Sequence, residues 1–260
     1  LGDGQPQTDS LLLHLLPAKI KINIKFFLIL LTSPIMRTKS HNSPSATRIT
    51  QQAATYPTST YENVTTHEGD LIIEGTETCA IENCNYTQIG NIYVQDYGRL
   101  VIKNSYFLFN QTRDWQYEIT VTNNAKIILQ DIDLVKFYAY EMNVKNDAVL
   151  TMKNVASKSL KWGEEMEKEF YSLHFYAWDD AHVQVNGSNI SYVMVFRDDS
   201  CVVIYDSTFE WLFFGERSQG EIRNVKTTFL EAYQESSVSL FDSEIQELAF
   251  GIHGSVALGL

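Results

Sequence analysis

Gly98-Arg-Leu-Val-Ile-Lys-Asn104, Ala125-Lys-Ile-Ile-Leu-Gln-Asp131 and Ala148-Val-Leu-Thr-Met-Lys-Asn154 share one pattern. A small residue opens each copy, apolar residues fill the third and fifth places, and Asn or Asp closes the seventh. Apolar residues two apart mark a strand with one buried face, because successive side chains of a strand point to opposite sides. Asn, Asp and Gly tolerate the left-handed backbone of a sharp bend, so the seventh place predicts where the chain turns. The pattern continues in Ala181-His-Val-Gln-Val-Asn-Gly187 and Ser200-Cys-Val-Val-Ile-Tyr-Asp206. It is also read at Gly69-Asp-Leu-Ile-Ile-Glu-Gly75, and in weaker copies from Gly220, Ser236 and Gly254. Of the eighteen apolar slots in these nine copies, seventeen hold Leu, Ile, Val or Met; Asn224 is the exception.

A second apolar strand precedes most copies, as in Ile92-Tyr-Val94, Ile119-Thr-Val121 and Met142-Asn-Val144. One repeat is therefore strand, bend, variable loop, strand and short turn. No single repeat can bury its face, but stacked neighbours form a continuous core. Residues 69–260 resemble the right-handed parallel β-helix proteins of the pectin-lyase-like superfamily, in particular the secreted or cell-surface type found in archaea and some bacteria. The resemblance implies an all-β fold, a single right-handed parallel β-helix of about nine coils. It also implies either a non-enzymatic scaffold or glycan- or protein-binding module, or, as the alternative, a polysaccharide lyase or glycoside hydrolase.

Charge divides the chain. Residues 1–60 carry six Lys or Arg and two Asp, a net +4, so the remaining 200 residues carry −16 of the −12 total. All five prolines lie in the first segment, and a proline-free remainder suits continuous ladders of strand hydrogen bonds. The acidic balance excludes nucleic acid as partner, since phosphate binding needs clustered Lys and Arg. Lys19-Ile-Lys-Ile-Asn-Ile-Lys25 followed by Phe26-Phe-Leu-Ile-Leu-Leu31 reads as a secretory signal, too short in its apolar run for a transmembrane span. The expected organisation is a signal-like segment over 1–46, a linker with an N-terminal cap over 47–68, and the β-helix over 69–260. The sequence stops inside a repeat at Val256-Ala-Leu-Gly-Leu260, which predicts a truncated end or one that another chain covers, with end-to-end self-association as the matching partner mode.

Five N-x-Ser/Thr sequons, at Asn63, Asn85, Asn110, Asn186 and Asn189, point to a glycosylated, secreted or surface protein. Cys79 and Cys84 are a candidate disulfide or, with Cys201, simply buried thiols. The pairs Asp179-Asp180 and Asp198-Asp199 are the candidate catalytic carboxylates of a glycosidase. Their position in the short turn before a repeat start favours reading them as turn residues instead. Asp147, Asp180 and Asp199 each precede a repeat start by one residue, so stacking would align them as a carboxylate column with Ca²⁺ as the candidate counter-ion; no other cofactor is expected. The aromatic run Phe196, Tyr205, Phe209, Trp211, Phe213 and Phe214 offers either sugar platforms or cross-coil stacking. Gly251-Ile-His-Gly254 is a turn rather than a catalytic histidine motif. An insertion at Ser157–Phe170, rich in Glu and Lys, is read as a solvated flank. Polysaccharide, surface glycan or another surface protein are the expected partners.

Overall fold

A computed structural model describes residues 22–24, 63–159, 173–251 and 254–258. Every regular element among them is a strand, and from Val64 onward every strand pairs in parallel with the equivalent strand one coil away, while Ile22–Ile24 pairs in parallel with Glu244–Phe250. The chain is a parallel β-solenoid of three sheets joined at three corners.

Sheet I holds Leu71–Ile73, Ile92–Val94, Glu118–Val121, Tyr140–Val144 and Leu173–Ala177. It continues with the second halves of Asn189–Phe196, Thr208–Phe214, Lys226–Ala232 and Glu244–Phe250. Sheet II holds the repeated heptads, from Thr78–Glu82 through Cys201–Tyr205 to Ser255–Leu258. Its nine strands make eight steps along the axis, one fewer turn than the nine copies suggest. Sheet III begins at Val64–Glu68, continues through Asn85–Ile89 and the second halves of Arg99–Phe109, Lys126–Lys136 and Val149–Ser159, and ends in the first halves of the later strands. The sequence reading assigned this third face to variable loop. In Arg99–Phe109, Lys126–Lys136 and Val149–Ser159 the strand runs on from sheet II into sheet III past the bend, and only the residues between sheets III and I vary in length. Val64–Glu68 also places the first solenoid strand inside the span read as linker.

Two assignments of register change. Leu71–Ile73 pairs with Ile92–Val94 and so belongs to sheet I; the first sheet II copy is Glu77-Thr-Cys-Ala-Ile-Glu-Asn83. The seventh copy starts at Ser218, because Gly220 pairs with Val202 and Ile222 with Ile204. Asn224 then falls on the bend instead of in the core. The corrected starts are 77, 98, 125, 148, 181, 200, 218, 236 and 254, so the last three coils are each 18 residues long. The expected insertion overlaps the strand Val149–Ser159, and its remainder lies outside the described residues.

The corners follow directly from residue chemistry. Between sheets II and III, the left-handed position is Asn83, Asn104, Asp131, Asn154, Gly187, Asp206, Asn224 or Asp242. Between sheets I and II it is Gly75, Asp96, Asn123, Asn146, Asp179, Asp198, Glu216 or Gln234. Small polar side chains there accept a positive φ that most residues avoid. Inside, Ile102, Leu129, Met152, Val185, Ile204, Ile222 and Leu240 form one buried column across successive coils. Each such side chain contributes roughly 1.5–3 kcal/mol on burial. Ser188, Ser207 and Ser243 lie just past the corner between sheets II and III, buried. Their hydroxyls accept the backbone N–H of Val155, Ser188 and Val225 one coil earlier at 3.1 Å each, which satisfies these three donors inside the wall.

Candidate functional site

The corner between sheets I and II is the one that both turns the chain and leaves an open surface. Each turn there has four residues with the left-handed residue second, and in four successive turns the fourth is small and buried: Ala125, Ala148, Ala181 and Ser200. At the Gly98 turn the fourth place is tight, since a Cβ there would stand 2.6 Å from the Ile73 carbonyl oxygen of the preceding coil. The second residues form a hydrogen-bonded ladder. Asn146 Nδ2 donates to Asn123 Oδ1 at 3.2 Å, and Asn123 Nδ2 donates to Asp96 Oδ1 at 3.3 Å. Further along, the carboxylates reverse the direction. Asn146 N donates to Asp179 Oδ2 at 3.3 Å, Asp179 N to Asp198 Oδ2 at 3.2 Å, and Asp198 N to Glu216 Oε2 at 3.2 Å.

A shallow open groove of about 880 Å³ runs along this ladder from Gly75 to Asp180. Its third-position residues are Tyr97, Asn124, Asp147 and Asp180, and its lining contains the four carboxylates of Asp96, Asp147, Asp179 and Asp180 but no Lys or Arg among the described residues. Tyr97 stands 66% exposed at one end. Its aromatic ring thus lies beside amides and carboxylates on one extended surface. That combination supplies an apolar ring face together with many hydrogen-bond donors and acceptors.

The candidate carboxylates divide. Asp179 and Asp198 are ladder members, each accepting a backbone N–H in its turn. Asp198 and Glu216 sit together: their mutual hydrogen bond holds Asp198 below the usual carboxylate range and raises Glu216 above it. Asp199 accepts a bidentate pair from Arg217 Nε and Nη2 at 2.7 Å each, and this guanidinium keeps its carboxyl low. The expected column of Asp147, Asp180 and Asp199 therefore ends on a cation supplied by the chain itself. Stacked positions are spaced about 4.8 Å per coil, so the outer two of three carboxylates stand about 10 Å apart, beyond the reach of one Ca²⁺ with its short oxygen contacts. Among the described residues, no group of three or more His, Cys, Asp or Glu converges as a metal site requires.

The aromatic run also divides. Phe196, Phe209 and Phe214 point into the core. On the outer face of sheet I, Trp211 packs on Phe229 at 5.3 Å between centroids, and Phe213 stacks on Tyr233 at 5.4 Å. Tyr176 stacks on Trp178 at 5.4 Å, with Arg197 over the Trp178 ring. The Trp211–Phe229 and Phe213–Tyr233 pairs join successive coils, whereas Tyr176 and Trp178 stack within one. Tyr205 turns outward from sheet II and donates to Glu221 at 3.1 Å. His174 forms a 2.6 Å hydrogen bond with Tyr176 and lies edge-on to Trp115; burial, with nearby Lys136, lowers its pKa. Lys136 is only 1% exposed, with its ammonium 4.8 Å from the Tyr192 ring centroid. His253 lies outside the described residues.

Cys79, Cys84 and Cys201 are free thiols, and Cys84 is buried with Sγ 3.9 Å from the Ser105 hydroxyl. The sequon asparagines Asn63, Asn85, Asn110, Asn186 and Asn189 all reach the surface, fully or in part. Tyr97 and the Asn123–Asn124 pair were not singled out as site residues from sequence. The available signal was Tyr97 itself, an aromatic in a turn position that the next four coils fill with Asn or Asp.

These features define a parallel β-solenoid with a polar, aromatic-ended groove along one corner. No helix among the described residues is long and apolar enough to cross a membrane. Comparison with protein-family models, with curated proteins and with solved structures returns no match.

Proposed function

We propose that the protein is a non-enzymatic, secreted or cell-surface member of the pectin-lyase-like β-helices that binds an extended glycan along the corner groove. One observation carries this reading: Tyr97 and the Asn and Asp side chains of successive coils line a single open channel parallel to the solenoid axis. An extended polymer matches such a channel, because one chemical unit after another meets an equivalent rung. The surface position of the sequons supports an exterior location. The carboxylates lining the groove repel a uronate polymer, which favours neutral or amino sugars as ligands. The enzymatic alternative, a polysaccharide lyase or glycoside hydrolase, is weakened by the commitment of Asp179, Asp198 and Asp199 to backbone and Arg217 partners.

Affinity electrophoresis through gels containing neutral, amino-sugar or uronate polysaccharides, paired with chain-length measurement of each polymer, tests the reading. Retardation by a neutral or amino-sugar polymer of unchanged length is the expected result. Shortened polymer would establish the enzymatic alternative, and mobility unchanged in every gel would overturn glycan binding.

A further inference from the structure

The strand Ile22–Ile24 pairs in parallel with Glu244–Phe250, on the side facing away from Lys226–Ala232. Ile22 is opposite Ile245 and Ile24 opposite Leu248, two residues that belong to the buried core. We infer that this N-terminal strand is the solenoid's own cap, closing its last described edge in cis and preventing a second copy of the chain from pairing there.

Three observations support the assignment independently of that register. The first is sequence: Lys19-Ile-Lys-Ile-Asn-Ile-Lys25 alternates strictly, with Ile at every second place and Lys or Asn between. Such alternation makes one apolar and one basic face in a strand, and Lys is the residue that natural edges use to repel further pairing. The second is charge. The segment carrying this strand is net positive, the solenoid is strongly negative, and the strand it joins carries Glu244 and Glu247. The third is reach. Residues 25–62 connect the strand to the first coil. Fully extended, a chain of that length spans about 125 Å, against about 40 Å for eight inter-strand steps. A chain of that length is long enough to join the two within one molecule. Ser255–Leu258 in sheet II has Ser237–Phe241 as its partner, so the cap covers the edge of sheets III and I.

A stretch that reads by composition as an export signal thereby has a second role available to it while it remains attached. Removing it would leave the Glu244–Phe250 edge as a template for another strand.

Hydrogen exchange on the full chain tests the cap, with light scattering over a hundredfold range of concentration. The variants are Ile22→Lys with Ile24→Lys, and separately Asn23→Pro, which removes a strand N–H without adding charge. In both, the amides of 244–250 are expected to exchange at least tenfold faster while those of 182–186 and 201–205 stay protected, and the mass is expected to rise with concentration. Unchanged exchange at 244–250 in both variants overturns the proposal. So does an effect confined to the lysine variant, which would be one of charge alone. Native chain that is already oligomeric, with protection at 244–250 growing with concentration, overturns closure in cis in favour of pairing between copies.

Discussion

The ring of Phe214 fills the space that Gly220 leaves in the core: a Cβ on Gly220 would stand 2.6 Å from Phe214 Cε1. Gly220 occupies the third place of its heptad, opposite Val202 on one side and Val238 on the other. Phe214 is fully buried and packs on Phe196 at 4.8 Å between centroids. The interior volume of this coil is conserved by exchange between sheets: a large residue on sheet I, none on sheet II.

Gly220→Val would restore the repeat's apolar pattern, yet it is expected to destabilise the protein by about 1–3 kcal/mol through overpacking. Phe214→Leu leaves a smaller side chain there. Combining the two is expected to lose less stability than the sum of the single changes, as for residues that share one space. Urea denaturation of the four proteins measures the coupling. Additive losses, or a stabilising Gly220→Val, would show that the ring yields freely.

Glu216→Gln tests the Asp198–Glu216 pair. The folded-state pKa of Glu216 is raised, so its contribution is fully present below the unfolded value of about 4.3 and is lost as pH rises through the folded value. The depressed Asp198 contributes in the opposite sense, above its unfolded value, and loses that contribution as pH falls. The variant cannot ionise at position 216 and keeps an oxygen acceptor. It is therefore expected to be more stable than the native protein at pH 7, by no more than about 1 kcal/mol for so exposed a pair, with the gap closing near pH 4. Denaturation midpoints at the two pH values decide; a gap that does not depend on pH contradicts the pairing.

Arg217→Ala should return the Asp199 carboxyl to its ordinary range, because the bidentate guanidinium is the main cause of its depression. Carbon-detected NMR titration of the Asp side chains reads this directly. In the native protein, the depression is expected to shrink in 1 M salt, since the pair is exposed to solvent.

For the groove, Tyr97→Ala is expected to weaken glycan binding about tenfold, which corresponds to about 1.4 kcal/mol. Asn124→Ala should weaken it less. Trp211→Ala, on the outer face of sheet I, should leave affinity unchanged although it disturbs the Phe229 contact. The opposite ranking in a titration of intrinsic fluorescence would move the site to the stacked aromatics.

Much of the architecture was legible in the sequence because its signals are local. Alternation tells which side of a strand is buried, and Asn or Asp at a fixed place tells where the chain bends; the left-handed residues at Asn104, Asp131 and Asn154 are the heptad ends themselves. The same local character explains the errors. Leu71–Ile73 and the sheet II strands carry the same apolar spacing, so the pattern alone could not say which sheet a copy joins. The slot at Gly220 looked out of register because its filling comes from Phe214, six residues away and on another sheet.

The carboxylate column was legible as a list of equivalent positions, but not in its chemistry. Asp147, Asp180 and Asp199 occupy the same turn place, and only Asp199 faces an Arg on the following coil. The sequence by itself determined a stacked, proline-free β-solenoid with polar corners. The tertiary structure alone decided the third sheet, the groove beside Tyr97, the Asp199–Arg217 pair and the partner of Ile22–Ile24. The reason is physical: strand and turn preferences act over a few residues, whereas stacking joins positions 18 to 33 apart, or over two hundred for the cap, at distances set by insertions of unequal length.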